Sequence, residues 1–234
     1  MEVEATEPRP APDRRRVVAW AVVIGLIAAI NYAARFTSSG SNTGKSGSRY
    51  ELYSYSTFAA GMIFYAIWLV AVLLIVANRL DLLAFRAPRR WASALGLAVG
   101  VIGVIFVWEA IVSYLPLPES PGKEQGITNV HWEPSHAGAF AANFVLLAVV
   151  APIVEELTFR GAGQSLLRFL GRWPSILVVG IAFGLAHGLV EALLVLAFFG
   201  IAVAWLRDRT NSVLPGMLVH AVFNGAALAF VVVR

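Results

Sequence analysis

Three pairs of residues, each with at least one polar member, stand four positions apart in the apolar second half of the chain. They are Glu156 with Arg160, Phe183 with His187, and His220 with Asn224. Four residues make about one turn of an α-helix, so the two members of each pair share one helix face. Carboxylate, imidazole and amide groups are costly inside a bilayer, so their presence there calls for a partner or a function.

Glu155 directly precedes the first pair and faces about 100° away from Glu156 around a helix. Glu156 can therefore pair with Arg160, while Glu155 is free to face the other polar groups. A carboxylate and two imidazoles in a partly hydrated cavity can exchange protons with water or substrate. We therefore expect Glu155, His187 and His220 to form a site that activates water, which is the chemistry of amide hydrolysis.

The composition identifies the kind of element that must hold these residues. Of 234 residues, 59% are hydrophobic and only 14% are charged, and the mean hydropathy is +0.74. These values lie outside the range of soluble globular domains and predict a polytopic membrane protein in contact with the lipid bilayer. The net charge is +4, but most arginines flank apolar segments, which is typical of topology determinants and not of nucleic-acid binding. The chain has no cysteine, which excludes disulfides and thiolate metal sites.

Apolar runs long enough to cross a bilayer predict an all-α transmembrane helix bundle with about seven spans. They cover residues 17–34, 58–77, 92–115, 139–157, 174–206 and 213–233. The run 174–206 has room for two thin crossings joined by a buried turn near His187 and Gly188. Residues 164–173 combine leucine and phenylalanine with arginine, which predicts a short amphipathic helix at the interface. The fourth span is expected to end at the glutamate pair.

The distribution of lysine and arginine predicts the orientation of these spans. With the N-terminus inside, 13 of the 18 basic residues lie on the cytoplasmic side and 5 lie outside. We therefore expect an external C-terminus and a disordered cytoplasmic tail at residues 1–16, which are rich in proline and charge. The polar loop before residue 138 contains His131 and His136, which we expect to be solvated.

The rise of a helix gives the expected depth of the polar residues. Glu155 lies about 24 Å along the fourth span and His220 about 10 Å from the inner end of the last, so the two meet in the cytoplasmic half. A helix that starts at Pro174 carries His187 about 20 Å inward, so His187 reaches that level only if its helix is tilted or begins outside the membrane. Glu191 is a further intramembrane carboxylate, expected either to line the cavity or to hydrogen-bond near the break at Gly188.

Three motifs follow one another along the second half: Glu155-Glu156-x-x-x-Arg160, Phe183-x-x-x-His187 and His220-x-x-x-Asn224. With them the chain resembles the CPBP family of intramembrane proteases, named for CAAX prenyl endopeptidases and bacteriocin-processing proteins and also called the Abi family. The likeness covers about residues 139–232. It divides the chain into an N-terminal transmembrane region, 17–138, and a catalytic core, 139–234. A bacterial inner (cytoplasmic) membrane is the location that the resemblance implies.

The resemblance also implies an activity and a role for each motif residue. The activity is endopeptidase hydrolysis of a peptide bond in a membrane-associated protein or peptide, within a cavity open to the cytoplasm. Glu155 would be the general base that activates water, with His187 assisting in holding that water. His220 and Asn224 would stabilise the oxyanion. The supporting residues would be Phe183, Glu156 and Arg160, of which the last two tie down the helix end and Glu156 could share the catalytic work.

Cofactor use and two other functions stay open at this point. Glu155, His187 and His220 could supply a His₂Glu zinc set with an open fourth position, but the chain has no His-Glu-x-x-His helix, so a metal-free site is favoured. A non-catalytic immunity or scaffold protein could use the same buried polar network to bind a partner. A transporter with an intramembrane proton site is the third alternative, although no paired inverted repeats are visible.

Overall fold

The computed structural model describes residues 11–38, 51–117 and 132–233. In these ranges the chain forms seven helices and one short 3₁₀ turn, Leu80–Leu83, and contains no strand. This confirms the predicted all-α membrane bundle. Residues 1–10 of the expected tail, most of the polar loop at 37–48, and His131 lie outside the described residues.

The helices are named here in chain order. They are α1 Arg14–Ser38, α2 Tyr55–Ile75, α3 Trp91–Ser113, α4 Pro134–Leu170, α5 Arg172–Ala186, α6 Leu193–Thr210 and α7 Leu214–Val233. Helices α1 to α4 are each long and apolar enough to cross a membrane, and α5 and α7 contain shorter apolar helices. The protein is therefore an integral membrane protein.

Helix α4 does not end at the glutamate pair. It continues for 37 residues, so that Glu155 and Glu156 lie near its middle. Residues 164–170, expected to form a separate helix at the interface, belong to the same run, and Gln164 and Leu166 are buried. The helical run stops only at Gly171, whose φ of 99° is readily adopted by glycine alone. The glutamates do not need the interface because the bundle itself supplies their partners.

Two π-helical segments interrupt α4 on either side of the glutamates, at Leu146–Val150 and Leu157–Gly163. In the first, the Ala151 N–H bonds to the Leu146 carbonyl five positions back. The same register pairs the Leu147 carbonyl with residue 152, which is proline and has no N–H. The Leu147 carbonyl is therefore left for a partner outside the helix. Short π segments of this kind are frequent at functional sites.

Helices α5 and α6 form a hairpin in which the two backbones touch. A Cβ at Gly184 would lie 2.9 Å from the Ala197 nitrogen, and one at Gly180 would lie 2.5 Å from the Ile201 nitrogen. No side chain fits between the helices at these levels. This close approach brings Phe183 and Phe199 into contact, with their ring centroids 5.6 Å apart.

The turn at Gly171 sets the level of the two halves of the site. Glu155 lies 15 residues before Leu170, the last residue of α4, and His187 lies 15 residues after Arg172, the first residue of α5. At about 1.5 Å per residue, both lie about 22 Å from the turn. His187 thus reaches the level of Glu155 without the special tilt that a helix end at residue 157 would demand.

Contacts between helices define two ends of the bundle. At one end, which we call the basic end, residues 77–90, 168–172 and 207–212 meet, for example through Arg86 Nη2, which donates to Asn211 Oδ1 at 2.8 Å. At the other, the far end, Tyr53 packs against Trp132 and His136, and Glu191 pairs with Arg35 near the end of α1. There Asn143 in α4 donates to the Ser54 carbonyl at 2.9 Å, just before α2 begins.

Candidate functional site

A cavity of about 230 Å³ lies inside the bundle between α2, α4, α5, α6 and α7. Glu155, His187, His220 and Asn224 all line it, as does Phe183. The remaining lining is Tyr65, Leu147, Ala151, Leu196, Phe199, Phe223, Ala227 and Leu228, which are almost all apolar. The structure therefore brings the four predicted site residues to one mainly apolar cavity.

Glu155 presents one satisfied and one unsatisfied oxygen. Tyr65 Oη donates to Glu155 Oε1 at 2.9 Å. Glu155 Oε2 is buried and has no hydrogen-bond partner among the described residues. A buried carboxylate oxygen without a donor is costly, which marks this atom as one that awaits a partner such as water or substrate.

Glu156 and Arg160 form the ion pair that their spacing predicts. Arg160 Nη1 donates to Glu156 Oε1 at 2.8 Å, and both side chains are fully buried. Arg160 Nη2 donates to the Gly200 carbonyl at 3.1 Å, which ties the pair to α6. The guanidinium lies 4.3 Å from the ring centroid of Phe183, a cation–π contact. This pair stands beside the cavity and does not line it.

The ring of His187 is oriented by its own helix. Its Nδ1 lies 2.7 Å from the Phe183 carbonyl oxygen. Because a carbonyl only accepts, Nδ1 carries the hydrogen, and in the neutral ring Nε2 is left as an acceptor. Nε2 lies 3.9 Å from Glu155 Oε2. This separation is too long for a direct hydrogen bond and leaves room for a donor that bonds to both atoms.

His220 connects the two glutamates. Its Nδ1 lies 3.1 Å from Glu156 Oε1 and its Nε2 lies 3.7 Å from Glu155 Oε2. The carboxylate of Glu156 is an acceptor, which places a hydrogen on Nδ1 of His220. His220 therefore joins the two neighbouring carboxylates of α4 through the two nitrogens of one ring.

Asn224 bonds to the carbonyl that α4 leaves free. Its Nδ2 donates to the Leu147 carbonyl at 2.9 Å, the group for which Pro152 offers no N–H. This bond joins α7 to the first π segment of α4. The second hydrogen of Nδ2 remains for the cavity that Asn224 lines.

The ionisable side chains of the site differ in exposure. The exposed fraction of the side chain falls from 29% at His187 to 7% at Glu155 and 4% at His220, and it is 0% at Glu156 and Arg160. The cavity continues from Glu155 towards the start of α4 and the end of α7, where the far end lies. The basic end carries most of the arginines.

Tyr65 is the contact of Glu155 that the sequence analysis missed. The feature that could have pointed to Tyr65 is its hydroxyl group in the apolar span of α2, because a buried tyrosine hydroxyl needs a hydrogen-bond partner. Gly216 in α7 is a second residue near the glutamates that the sequence analysis missed, since a Cβ there would lie 2.9 Å from Glu156 Oε2.

Glu191 does not line the cavity, and its Oε2 accepts from Arg35 Nη2 at 3.3 Å at the far end. His136 is exposed, as expected, and lies 3.4 Å from Glu133 Oε2.

Comparison with known proteins identifies the segment that carries the site. Residues 137–226 match the family model of the type II CAAX prenyl endopeptidase Rce1-like proteins. This segment is similar to the Rce1-like family. The match confirms the resemblance drawn from the three motifs, and it supports a membrane-embedded hydrolase of the protease class. No curated protein and no solved structure matches the chain.

The Rce1-like segment holds the three atoms that could serve a metal, namely Oε2 of Glu155 and Nε2 of His187 and His220. Both imidazoles are oriented through Nδ1 by an acceptor, as metal-ligating histidines usually are. Ligands 2.0–2.2 Å from a tetrahedral zinc lie roughly 3.4 Å from one another. The observed 3.7 and 3.9 Å are wider. Among the described residues, no three His, Asp or Glu side chains are arranged so that they could hold a metal ion.

Proposed function

We propose that this protein is an intramembrane endopeptidase in which Glu155 activates the water that attacks a peptide bond. The observation that supports this most directly is the unpaired Oε2 of Glu155, buried in a cavity and faced by Nε2 of His187 and of His220. The substrate class is a membrane-associated protein or peptide, as expected for the Rce1-like family.

Glu155 and His187 are placed to hold the nucleophile. A water between them donates one hydrogen to Oε2 of Glu155 and the other to Nε2 of His187, which leaves an oxygen lone pair for the carbonyl carbon of the substrate. As the new C–O bond forms, Glu155 takes the proton, and it returns the proton to the peptide nitrogen when the C–N bond breaks. The second hydrogen of the water also passes to the nitrogen, so the products are a carboxylate and an ammonium group, and the enzyme returns to its initial state. Tyr65 holds Oε1 and thereby fixes the direction of Oε2.

His220 and Asn224 stabilise the negative oxygen that forms on the substrate. Because Nδ1 of His220 is held by Glu156, its Nε2 donates only when the ring is doubly protonated. The free hydrogen of Asn224 Nδ2 is the second donor.

Glu156, Arg160 and Phe183 are positioning residues in this proposal. Glu156 acts through His220, and Arg160 neutralises Glu156 and fastens it to α6. Phe183 supplies the carbonyl that orients His187 and the ring on which Arg160 packs. None of their side chains is needed to touch the scissile bond.

The proposed reaction uses no metal. If zinc is bound instead, Glu155, His187 and His220 would hold it, and the ion would supply Lewis-acid activation of water. The residues would keep their orientation by Tyr65, the Phe183 carbonyl and Glu156.

The decisive experiment replaces Glu155 by Gln in cells and compares the termini of membrane proteins by mass spectrometry. Gln keeps the shape and the bond from Tyr65 but cannot take a proton, so termini produced by the wild type should disappear. Glu109→Gln is the matched control, because Glu109 is also an intramembrane carboxylate but does not line the cavity. Unchanged termini in Glu155→Gln cells would reject proteolysis and favour the non-catalytic scaffold.

A further inference from the structure

We propose that the protein binds one anionic glycerophospholipid between α3 and α6, with the phosphate headgroup among three arginines and an acyl chain in an adjoining apolar groove. This site uses another face of α6 than the cavity that contains Glu155. The inference goes beyond the proposed endopeptidase function and does not depend on it. Two features of the described residues carry it, a cationic cavity at the basic end and the groove that continues from it.

The cationic cavity lies between the start of α3 and the end of α6 and has a volume of about 620 Å³. Arg89 and Arg90 directly precede α3, and Arg209 is the last residue but one of α6. All three line the cavity, and its other polar lining residues are neutral: Ser93, Thr210 and Asn211. The described lining therefore presents three positive charges and no negative one.

Within the described part of the chain, these three arginines have no carboxylate partner. The carboxylate next to Arg209 in sequence, Asp208, accepts instead from Arg172 Nε at 2.7 Å. Arg209 lies over the ring of Trp205 at 5.6 Å, a contact that leaves its N–H groups for an acceptor. Like charges gathered in one cavity are unfavourable until an anion joins them, and guanidinium groups bind phosphate through paired hydrogen bonds.

The first turn of α3 favours the same ligand charge. Its N-cap residue, Arg90, makes no side-chain hydrogen bond to the helix, and the first turn contains no acidic residue. The first N–H groups of the helix therefore lack a capping side chain, and the positive end of the helix dipole is not neutralised. Ser93 in this turn lines the cavity, so the start of the helix opens onto it. Phosphate groups bind at helix starts of this kind.

An apolar groove of about 400 Å³ continues from the cationic cavity between α3 and α6 and shares Leu97 with it. Along α3 the groove extends from Gly96 to Val104, which is about 12 Å of helix. Gly96 and Gly100 keep it open, since a Cβ at either would meet nothing within 4 Å. All of its described lining residues are apolar, so an acyl chain is the part of a lipid that it fits.

Two tryptophans mark the level at which the cavity meets the groove. Trp173 at the start of α5 is 55% exposed, and Trp205 near the end of α6 packs under Arg209. Both line the groove. Tryptophan is enriched at the level of lipid headgroups. The order of arginines, tryptophans and aliphatic groove thus follows the order of phosphate, glycerol ester and acyl chain in a phospholipid, whereas a soluble phosphate would use the arginines alone.

The headgroup part of the site is tested by native mass spectrometry of the purified full-length protein, titrated with phosphatidylglycerol or with phosphatidylcholine. We expect one phosphatidylglycerol to bind more tightly than phosphatidylcholine. Replacing Arg89, Arg90 and Arg209 together by Gln should weaken phosphatidylglycerol binding roughly 10- to 100-fold. The matched control replaces Arg14, Arg79 and Arg168 by Gln, which removes the same charge outside the cavity. Equal losses in the two triple variants would overturn the site and leave only attraction by net charge.

The groove is tested with all arginines intact. Gly100→Leu fills it and should weaken phosphatidylglycerol binding about tenfold by displacing acyl methylene groups. Gly103→Leu is the matched control, because a Cβ there also meets nothing within 4 Å but Gly103 does not line the groove. Both added side chains project into open space, so both variants should fold.

Glycerol phosphate, added at the concentration of the lipid, separates a phospholipid site from a site for soluble phosphate. We expect it to leave phosphatidylglycerol bound, because it has no chain for the groove. Displacement by glycerol phosphate, or an unchanged affinity in Gly100→Leu, would overturn the assignment to a phospholipid.

Discussion

Oε2 of Glu155 and Nε2 of His187 face each other across 3.9 Å, each an acceptor in the neutral histidine state and each fixed by a bond on its other side. Tyr65 holds the carboxylate, and the Phe183 carbonyl holds the imidazole. Neither atom can satisfy the other, so a molecule with two donatable hydrogens is the natural occupant of the space between them.

Tyr65→Phe should lower the rate of cleavage about 10- to 100-fold, because a hydrogen bond to a charged group contributes roughly 1.5–3 kcal/mol. The fold should be little affected, since the ring stays stacked on Trp68 at a centroid distance of 5.7 Å. The measurement is the ratio of kcat to KM for a substrate identified in cells. Tyr114→Phe is the control, as that side chain is 89% exposed. Equal rates in the two variants would contradict the role of the Tyr65 hydroxyl.

Arg160→Ala should destabilise the protein by roughly 3–5 kcal/mol, because it leaves the Glu156 carboxylate buried without its cation. Thermal unfolding in detergent measures the loss, and Arg168→Ala on the exposed surface serves as the control. Combining Arg160→Met with Glu156→Gln should restore much of the stability while activity stays low, because His220 then lacks the carboxylate at Nδ1. Recovery of both properties would show that Glu156 has no part in orienting His220.

Gly216→Ala should lower both stability and activity, because the added Cβ would lie 2.9 Å from Glu156 Oε2 and 2.9 Å from Val203 Cγ1. Gly100→Ala is the matched control in another transmembrane helix, where the Cβ meets open space. There the better helix propensity of alanine should raise stability by up to about 1 kcal/mol. Similar melting temperatures for both variants would show that α7 can move away from α4 at no cost.

Asn224→Ala should remove the donor for the Leu147 carbonyl together with the proposed contact to the oxyanion. Adding Pro152→Ala returns a backbone N–H to α4 that can bond to that carbonyl. Stability should then recover in the double variant, but cleavage should not, if Asn224 also acts on the substrate. Recovery of cleavage along with stability would reduce Asn224 to a residue that holds α7 against α4.

Removal of divalent metal should leave cleavage unchanged in the proposed mechanism. The purified protein is dialysed against a chelator, assayed, and analysed for bound zinc. The Glu155→Gln variant, which lacks one of the three proposed ligands, is the control for zinc binding. Loss of activity that is restored by added zinc would replace the Glu155 mechanism by the zinc alternative. A stoichiometric zinc content that disappears in the Glu155→Gln variant would identify Glu155 as a zinc ligand.

The sequence predicted the membrane bundle and the convergence of Glu155, His187, His220 and Asn224, because four-residue spacing in apolar helices fixes which groups share a face. It misplaced the end of α4. The fourth span was expected to end at the two carboxylates, but Arg160 and His220 both bond to Oε1 of Glu156 inside the bundle, and the helix continues to Leu170. The separation of two residues along the chain reveals a pair within one helix, but it does not reveal a partner on another helix.

Tyr65 and the two π segments were beyond prediction for the same reason. The bond from Tyr65 joins residues 90 positions apart in the chain, and a tyrosine in an apolar span is compatible with many partners. The π segments depend on how α4 packs against its neighbours. Pro152 was visible, yet the free carbonyl of Leu147 follows only once the register of the surrounding hydrogen bonds is known.

The order of the helices has a consequence for biogenesis. His220 and Asn224 both lie in α7, the last helix of the described chain, whereas Glu155 and His187 lie in helices that leave the ribosome earlier. In the proposed mechanism, a nascent protein inserted only as far as α6 has the base Glu155 but lacks both donors to the oxyanion. Hydrolysis would then begin only after the final helix docks, which would protect the neighbouring chains at the insertion machinery from cleavage during synthesis.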